Sequence, residues 1–356
     1  MYSQEERLDN IRMIRDSAAA FAPAGDLSRV RGLRYQPVGF DRNVWNEIAQ
    51  SGWVGLTLDP QRGGSGLGKA EYCALLEVFG AALIPEPFVP AVLGARLLEG
   101  ELLAQQMSGD CLLMPALQEL NASLETVSPV TQYRAGNVCG RKINVPMGAG
   151  AEQFLISTPQ GLALVEAGAA GLQLEHVPTQ DGGVFTTLCL QEVQAQLLPL
   201  DSHVLQAALD EAALGTAAYL LGVAEQAFRL TLEYLGTRRQ FDQAIGSFQA
   251  LQHRAVDMKL QLALWRASLE AAAAAFDNGV PVAQRQAAVS RVKARAADAS
   301  LLITRQAVQM HGAIGYTDEC DIGLYLRKAM TLANLYGSSA VHRRRYDTCT
   351  PGLLDV

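Results

Sequence analysis

The stretch from Ala207 to Tyr234 constrains the fold more than any other part of this chain, because it is almost entirely apolar and has few breaks. A helix that is apolar on most of its circumference is buried on several sides, so other helices must pack around it. Its most apolar part, from Ala207 to Phe228, carries Asp210, Glu211 and Glu225, and these charges argue against a membrane span. The sequence therefore predicts a helical core in its C-terminal part.

Further segments of helical character follow, so residues 201–356 are predicted to form a four-helix bundle domain. Asn278 and Gly279 separate the second helix from the third, and Pro281 suits the start of a helix. The four predicted helices are Ala207 to Tyr234, Leu251 to Phe276, Pro281 to about His311, and Ile322 to Arg345.

Residues 1–108 are also predicted to be helical, with Asp41 as a helix N-cap and Ala91 to Leu103 as one of the helices. Residues 109–200 instead alternate short apolar runs with glycine-containing turns, which predicts an antiparallel sheet or small barrel. The expected fold class is therefore α+β. It comprises an N-terminal α-helical domain, a central antiparallel β-domain and a C-terminal α-helical bundle domain.

Composition excludes several classes of protein. Of the 356 residues, 49% are hydrophobic and 18% are charged, as is typical of a compact globular protein. The net charge of −7 argues against nucleic acid as the main partner. The six cysteines include no CxxC pair and no histidine at metal-ligand spacing, so we expect reduced cytosolic thiols and no metal site. Residues 1–15 are charged and amphipathic, unlike a secretory signal, and no stretch of about 18 uncharged apolar residues occurs, so we expect a cytoplasmic protein without a membrane span.

Two short motifs at the ends of predicted helices carry groups suited to an anion. Residues 238–253 read RRQFDQAIGSFQALQH, and residues 309–317 read QMHGAIGYT. A guanidinium such as that of Arg238 can fork onto a pyrophosphate, Gln309 brings an amide, and Gly312 lets backbone approach a ligand closely. Both motifs also have a structural interpretation, in which the arginines complement a helix C-terminus and the glycines end a helix.

Together the two motifs resemble the C-terminal flavin-binding region of the acyl-CoA dehydrogenases. The family pattern Arg-x-x-Phe-Gly-x-x-Ile is matched by Arg238, Phe241 and Ile245, with Asp242 in place of the glycine. The resemblance implies that Arg238 and Phe241 hold the pyrophosphate and adenine of FAD, usually the FAD of a neighbouring subunit. It assigns further residues to the same cofactor: Gln309, Gly312, Ala313 in place of a second glycine, and Ser339.

The resemblance also implies a catalytic base, which removes the α-proton of an acyl-CoA thioester while a hydride leaves to the flavin. The commonest base is the Glu of Tyr-Glu-Gly-Thr, but the matching stretch has Gly337 at that position. Some relatives place the Glu on the first helix of the C-terminal domain, where an ungapped count leads to Ala212. Its neighbour Glu211 is the candidate catalytic residue. Glu319 and Asp321 are weaker candidates. The alternative that this chain has no catalytic base also stays open.

The central domain departs most from the family. Nothing between Met114 and Tyr133 matches the family segment Thr-Glu-x-x-x-Gly-Ser-Asp. In the run 140–149, Pro146 replaces a Ser or Thr that hydrogen-bonds the flavin, and Asn144 replaces an aromatic residue that shields it. Proline has no hydrogen-bond donor, so the half-site for the isoalloxazine ring is expected to be eroded.

The resemblance implies FAD-dependent α,β-desaturation of an acyl-CoA thioester, by a homodimer or homotetramer that passes electrons to an electron-transfer flavoprotein. The alternative is a non-catalytic subunit of a heteromeric acyl-CoA dehydrogenase, in which this chain completes the FAD site of a second, homologous chain in a heterotetramer. Bacterial pairs of this kind act on bulky acyl-CoAs such as steroid fragments, and the segment from Gly337 to Arg345 is similar to that group. A flavin monooxygenase or nitroalkane-oxidising relative on the same fold is a third interpretation.

Overall fold

The computed structural model describes residues 4–120 and 130–351. They form two compact units, each assembled from separate stretches of the chain. The bundle unit contains the described residues of Met1–Val30, Gly68–Ile84 and Ala213–Val356, and the sheet unit contains those of Arg31–Leu67 and Pro85–Ala212. The division into domains 1–108, 109–200 and 201–356 stays a prediction.

Helices dominate both ends of the chain, and strands dominate its middle, so the expected α+β architecture is confirmed. The described helices are α1 (Gln4–Phe21), α2 (Ser28–Leu33), α3 (Arg42–Gln50), α4 (Lys69–Ala81), α5 (Phe88–Leu97), α6 (Gly100–Ser108), α7 (Ser202–Thr237), α8 (Gln249–Asp277), α9 (Val282–His311), α10 (Ile322–Leu332) and α11 (Ser339–Cys349). The described strands are β1 (Leu113–Ala116), β2 (Gln132–Arg134), β3 (Asn137–Pro146), β4 (Gln153–Thr158), β5 (Gly161–Glu166), β6 (Leu172–Pro178), β7 (Val184–Gln194), β8 (Gln196–Leu198), β9 (Arg239–Gln240) and β10 (Gln243–Ala244).

The sheet unit contains two four-stranded sheets, in the orders β1-β4-β5-β8 and β2-β3-β7-β6. The described strands pair in antiparallel fashion as predicted, except that β1 and β4 run parallel. Strand β7 alternates buried and half-buried residues over most of its length, which is the pattern of a strand with one face on the core. The register of β3 on β7 shifts between Lys142 and Val145, so Asn144 lies in a bulge with a φ of 56°.

In the bundle unit, α9 packs against α8, α10 and α11. Among the described residues, α7 alone is long and apolar enough to cross a membrane, but 94% of its most apolar window is buried, as in a core helix. Two glycines allow α4 and α7 to come close. A Cβ added at Gly80 would lie 1.9 Å from the carbonyl oxygen of Tyr219, and one at Gly222 would lie 1.9 Å from that of Glu77.

Two predicted helices are wrong in extent. The predicted helix from Ala91 to Leu103 is divided into α5 and α6, because Leu98 is extended and Gly100 has a φ of 57°. The predicted helix from Ile322 to Arg345 is divided into α10 and α11, because Tyr336 and Gly337 have φ values of 54° and 106°. Left-handed residues cannot continue a right-handed helix.

The predicted helix cap at Asp41 is confirmed. Asp41 caps α3 by accepting a hydrogen bond from the backbone N–H of Asn43 at 2.9 Å. All six cysteines lie within the described residues, and none of them forms a disulfide.

Candidate functional site

The first predicted motif forms a tight hairpin directly after α7. Strands β9 and β10 pair through Gln240 and Gln243, so Phe241 and Asp242 are the two residues of the turn. Both have positive φ, 51° and 62°, as a type I′ turn requires. Asp tolerates this conformation, which explains how Asp242 takes the place of a glycine. The turn displays Phe241 at its tip, where the side chain is 85% exposed.

The hairpin holds one arginine and leaves another available. Arg239 donates to the carbonyl oxygen of Asp242 at 2.7 Å. The backbone of Arg238 is fixed, because its N–H donates to Tyr234 and its carbonyl oxygen accepts from Ile245. Its guanidinium is exposed and makes no hydrogen bond or ion pair with any residue in the described ranges. A positive, unengaged head on a fixed backbone can bind an anion.

The second predicted motif ends α9. Gln309, Gly312 and Ala313 are all exposed. Gly312 has a φ of 71°, and a Cβ added to it would have nothing within 4 Å. The chain therefore turns away from the helix here and leaves open space beside the backbone, where a ligand can approach.

An aromatic stack joins the two motifs within the bundle unit. The rings of Tyr234 and His311 lie 4.5 Å apart at an angle of 20°. Nδ1 of His311 bonds the carbonyl oxygen of Ala307 at 2.8 Å, and burial lowers the pKa of the imidazole below its usual value. Tyr234 lies four residues before Arg238, and His311 lies two residues after Gln309. The stack thus fixes the end of α7 beside the end of α9, and His311 serves as part of that support.

The donors at these two helix ends fit the diphosphate half of FAD. They comprise a free guanidinium, an exposed amide and an open glycine backbone, which are groups that bind phosphate oxygens. FAD held by these residues would supply a hydride acceptor.

The remaining FAD candidate, Ser339, is the first residue of α11 and is half-buried. Ser338 precedes it as the N-cap and accepts a hydrogen bond from Val341 at 3.4 Å. Gly337, at the position of the usual base, is buried. This turn therefore supplies a serine and backbone but no carboxylate.

Two buried basic residues around this turn were missed by the sequence analysis. Lys293 donates to the carbonyl oxygens of Ala333 and Gly337, and His342 bonds that of Tyr336. Lys293 lies on the buried face of α9, together with Val289, Ala296 and Ala297. A lysine at helical spacing from apolar residues is a sequence signal for a buried amine, although nothing in the sequence indicated which groups it bonds.

The candidate base Glu211 lies inside the sheet unit and is 4% exposed. Its Oε2 lies 2.7 Å from Nε of Arg96, and its Oε1 accepts from the hydroxyl of Thr57 at 2.8 Å and from Arg96 at 3.1 Å. Both carboxylate oxygens are therefore engaged. The weaker candidate Glu319 is exposed, and Asp321 directly precedes α10.

Pro146, at the position of the Ser or Thr that hydrogen-bonds the flavin in the family, does not supply a donor. Pro146 ends β3, and the N–H of the next residue, Met147, is bonded to Val184 at 2.8 Å. This half of the site does not fit the ring in the way the family pattern requires. The stretch from Met114 to Tyr133, in which the family segment was sought, lies partly outside the described residues. Within its described part, Glu119 accepts a hydrogen bond from buried Lys142 at 2.6 Å.

Two family models match the chain: "Acyl-CoA dehydrogenase, N-terminal domain" over residues 9–98 and "Acyl-CoA dehydrogenase, C-terminal domain" over residues 202–347. The chain is 29% identical to acyl-CoA dehydrogenase IpdE2 of Mycolicibacterium smegmatis over 340 residues, which is 94% of this chain and 97% of that protein.

Solved structures share the fold over nearly the whole chain. A variant of the steroid ACAD Tcur3481-Tcur3483 superposes with a TM-score of 0.84 at 28% identity and covers 97% of both chains. A chain of the ChsE4-ChsE5 complex from Mycobacterium tuberculosis has the same fold, with a TM-score of 0.84 at 24% identity over 98% of this chain and 97% of that one.

Proposed function

Because this chain belongs to the acyl-CoA dehydrogenase family, we propose that it is one subunit of a heteromeric acyl-CoA dehydrogenase and completes an FAD site on its partner. Members of the family are oxidoreductases that act on the CH–CH bond of an acyl-CoA with a flavin. In this proposal the partner supplies the catalytic base, and this chain supplies the FAD contacts that the resemblance assigns to it, namely Arg238, Phe241, Gln309, Gly312, Ala313 and Ser339.

One observation carries the proposal: the position of the usual base is a buried glycine whose carbonyl oxygen is already bonded to Lys293. The desaturation requires a base with a free lone pair near the α-carbon. Gly337 has no such group. The diphosphate-binding residues, in contrast, are exposed and open to a ligand.

Both halves of the flavin site support this proposal. The exposed motifs at the ends of α7 and α9 suit a diphosphate, whereas Pro146 withholds the donor that a flavin ring would need. A chain that lends its diphosphate-binding residues to a neighbour needs only the first half.

The relatives support this assembly and suggest a substrate class. The names Tcur3481-Tcur3483 and ChsE4-ChsE5 each give two different components. Tcur3481-Tcur3483 is described as a steroid ACAD. By analogy, the substrate of the mixed enzyme is an acyl-CoA with a bulky, steroid-derived acyl group, and an electron-transfer flavoprotein accepts the electrons.

The test is the flavin content per chain, measured from the visible spectrum of the protein purified alone and after co-expression with a homologue from a neighbouring gene. We expect little flavin in the chain alone and bound FAD in the co-purified complex. About one FAD per chain in the protein purified alone, with turnover of an acyl-CoA, would overturn the proposal.

A second candidate function is self-sufficient desaturation with Glu211 as the base. The observation in its favour is a buried carboxylate on α7, one residue from the position that some relatives use. Glu211→Gln keeps the size of the side chain and removes its basicity. If Glu211 is the base, this variant retains flavin and loses turnover, whereas unchanged turnover rules the assignment out.

A further inference from the structure

A fully buried lysine holds the turn between α10 and α11. Nζ of Lys293 donates to the carbonyl oxygen of Ala333 at 2.8 Å and to that of Gly337 at 2.9 Å. Its side chain has no exposed surface. An amine in such a place is costly unless it has acceptors, so the lysine and the turn hold each other in position. Burial lowers the pKa of Lys293 to about 7, and either protonation state retains at least two N–H donors.

A buried histidine bonds the same turn. Nε2 of His342, in α11, lies 2.8 Å from the carbonyl oxygen of Tyr336, and Nδ1 lies 3.4 Å from the hydroxyl of Ser290 in α9. Burial and the nearby charge of Lys293 lower the pKa of His342 to about 4, so the ring is neutral near pH 7. The neutral ring therefore carries its proton on Nε2 and donates to Tyr336.

The clamped turn has an unusual backbone. Tyr336 and Gly337 both have positive φ, 54° and 106°. A left-handed tyrosine is strained and persists only where its surroundings enforce it. The carbonyl oxygens that accept from Lys293 and His342 belong to these same two residues and to Ala333. Directly after them, Ser338 caps α11 and Ser339 begins it.

We propose that Lys293 and His342 are positioning residues for FAD, which hold the turn so that Ser339 meets the cofactor in a single geometry. The inference rests on the proposed function, in which Ser339 belongs to the FAD-binding set. The two residues act through the backbone of the turn. Their role is to exclude other conformations of the turn, so that FAD binding does not include the entropic cost of ordering the turn.

The chain offers a matched pair of variants at His342. A glutamine amide can reach the place of Nε2 and keep the bond to Tyr336, whereas an asparagine amide can reach only the place of Nδ1. Lys293→Met removes the amine at similar volume. Thr304→Val is the control, since Thr304 is equally buried in α9 but bonds only Ser300 of its own helix, at 2.7 Å.

FAD is the probe, titrated by flavin fluorescence and visible circular dichroism against the chain together with its partner subunit, or alone if it holds flavin. We expect Lys293→Met and His342→Asn to bind FAD about ten-fold more weakly, with an altered dichroism band at saturation. His342→Gln and Thr304→Val are expected to stay within about two-fold of the wild type. Hydrogen exchange of residues 333–341 should rise in the first two variants.

Wild-type FAD affinity and dichroism in both Lys293→Met and His342→Asn, with faster exchange in the turn, would overturn the inference and leave only a structural clamp. If Lys293→Met does not fold, the comparison of His342→Asn with His342→Gln decides. A wild-type protein that binds no FAD, alone or with its partner, contradicts the proposed function instead.

Discussion

The buried carboxylate of Glu211 and the half-buried guanidinium of Arg96 form an ion pair inside the sheet unit, with Oε2 and Nε 2.7 Å apart. Thr57 joins the pair, since its hydroxyl donates to Glu211 and its carbonyl oxygen accepts from Arg96. Arg96 and Thr57 together hold the carboxylate in one position. The geometry therefore also suits a structural role within the sheet unit, in which Arg96 and Thr57 hold Glu211 in place.

We expect Arg96→Leu to lower the free energy of unfolding by about 3 kcal/mol, because it leaves the charge of Glu211 buried without its partner. Urea denaturation measures the loss. The double variant Arg96→Leu with Glu211→Leu removes both charges and should recover most of the stability. Equal losses in the single and double variants would contradict the importance of the pair.

We expect Tyr234→Leu to weaken FAD binding by about three- to ten-fold, because the stack on His311 aligns the helix ends that carry Arg238 and Gln309. Tyr234→Phe keeps the ring and is the control, expected to bind like the wild type. FAD titration of the flavin-holding form of the protein measures both. Equal affinity in the two variants would show that the stack does not organise the site.

We expect Asp242→Gly to strengthen FAD binding by about two- to five-fold, since it removes a negative charge near the diphosphate and relieves a left-handed non-glycine residue. Asp242→Asn separates the two effects, because it removes only the charge. The electrostatic part should shrink when the titration is repeated at high salt. Weaker binding by both variants would mean that Asp242 contacts the cofactor favourably.

We expect Gly337→Glu not to restore a base, although it returns the family residue to its position. The φ of 106° at Gly337 is strained for any residue with a Cβ, so the substitution should cost about 1–3 kcal/mol of stability. Gly337→Ala shares this strain and lacks the carboxylate. Turnover of an acyl-CoA with an artificial electron acceptor should be equally low in both, and a large excess in Gly337→Glu would refute the prediction.

We expect acid to destabilise the protein through His342. Burial lowers its pKa from 6.5 to about 4 in the folded state, so below pH 6.5 the unfolded chain binds a proton that the folded chain does not. Stability contributed by the neutral ring is complete above pH 6.5 and falls by about 1.4 kcal/mol per pH unit down to about pH 4. Urea unfolding between these pH values measures the slope. His342→Gln should flatten it, and an unchanged slope would contradict the assignment.

Local sequence rules predicted much of the fold and half of the candidate site. The apolar run of α7, the cap at Asp41 and the change to short runs in the middle of the chain depend on neighbours along the chain. The motifs at Arg238 and Gln309 could be found for the same reason. The break between α10 and α11 could not, because Ile322 to Arg345 reads as helix until Lys293 and His342 are known to bond its carbonyl oxygens.

The sequence by itself determined the α+β architecture, the motifs at Arg238 and Gln309 and the absence of a carboxylate at position 337, since periodicity, caps and motifs are local properties of the chain. Only the tertiary structure decided that Glu211 meets Arg96, that Tyr234 stacks on His311, and that Lys293 holds the turn at Gly337. Each of these contacts joins residues more than 40 positions apart. Burial and hydrogen-bond geometry select such partners, and neither is written in local sequence.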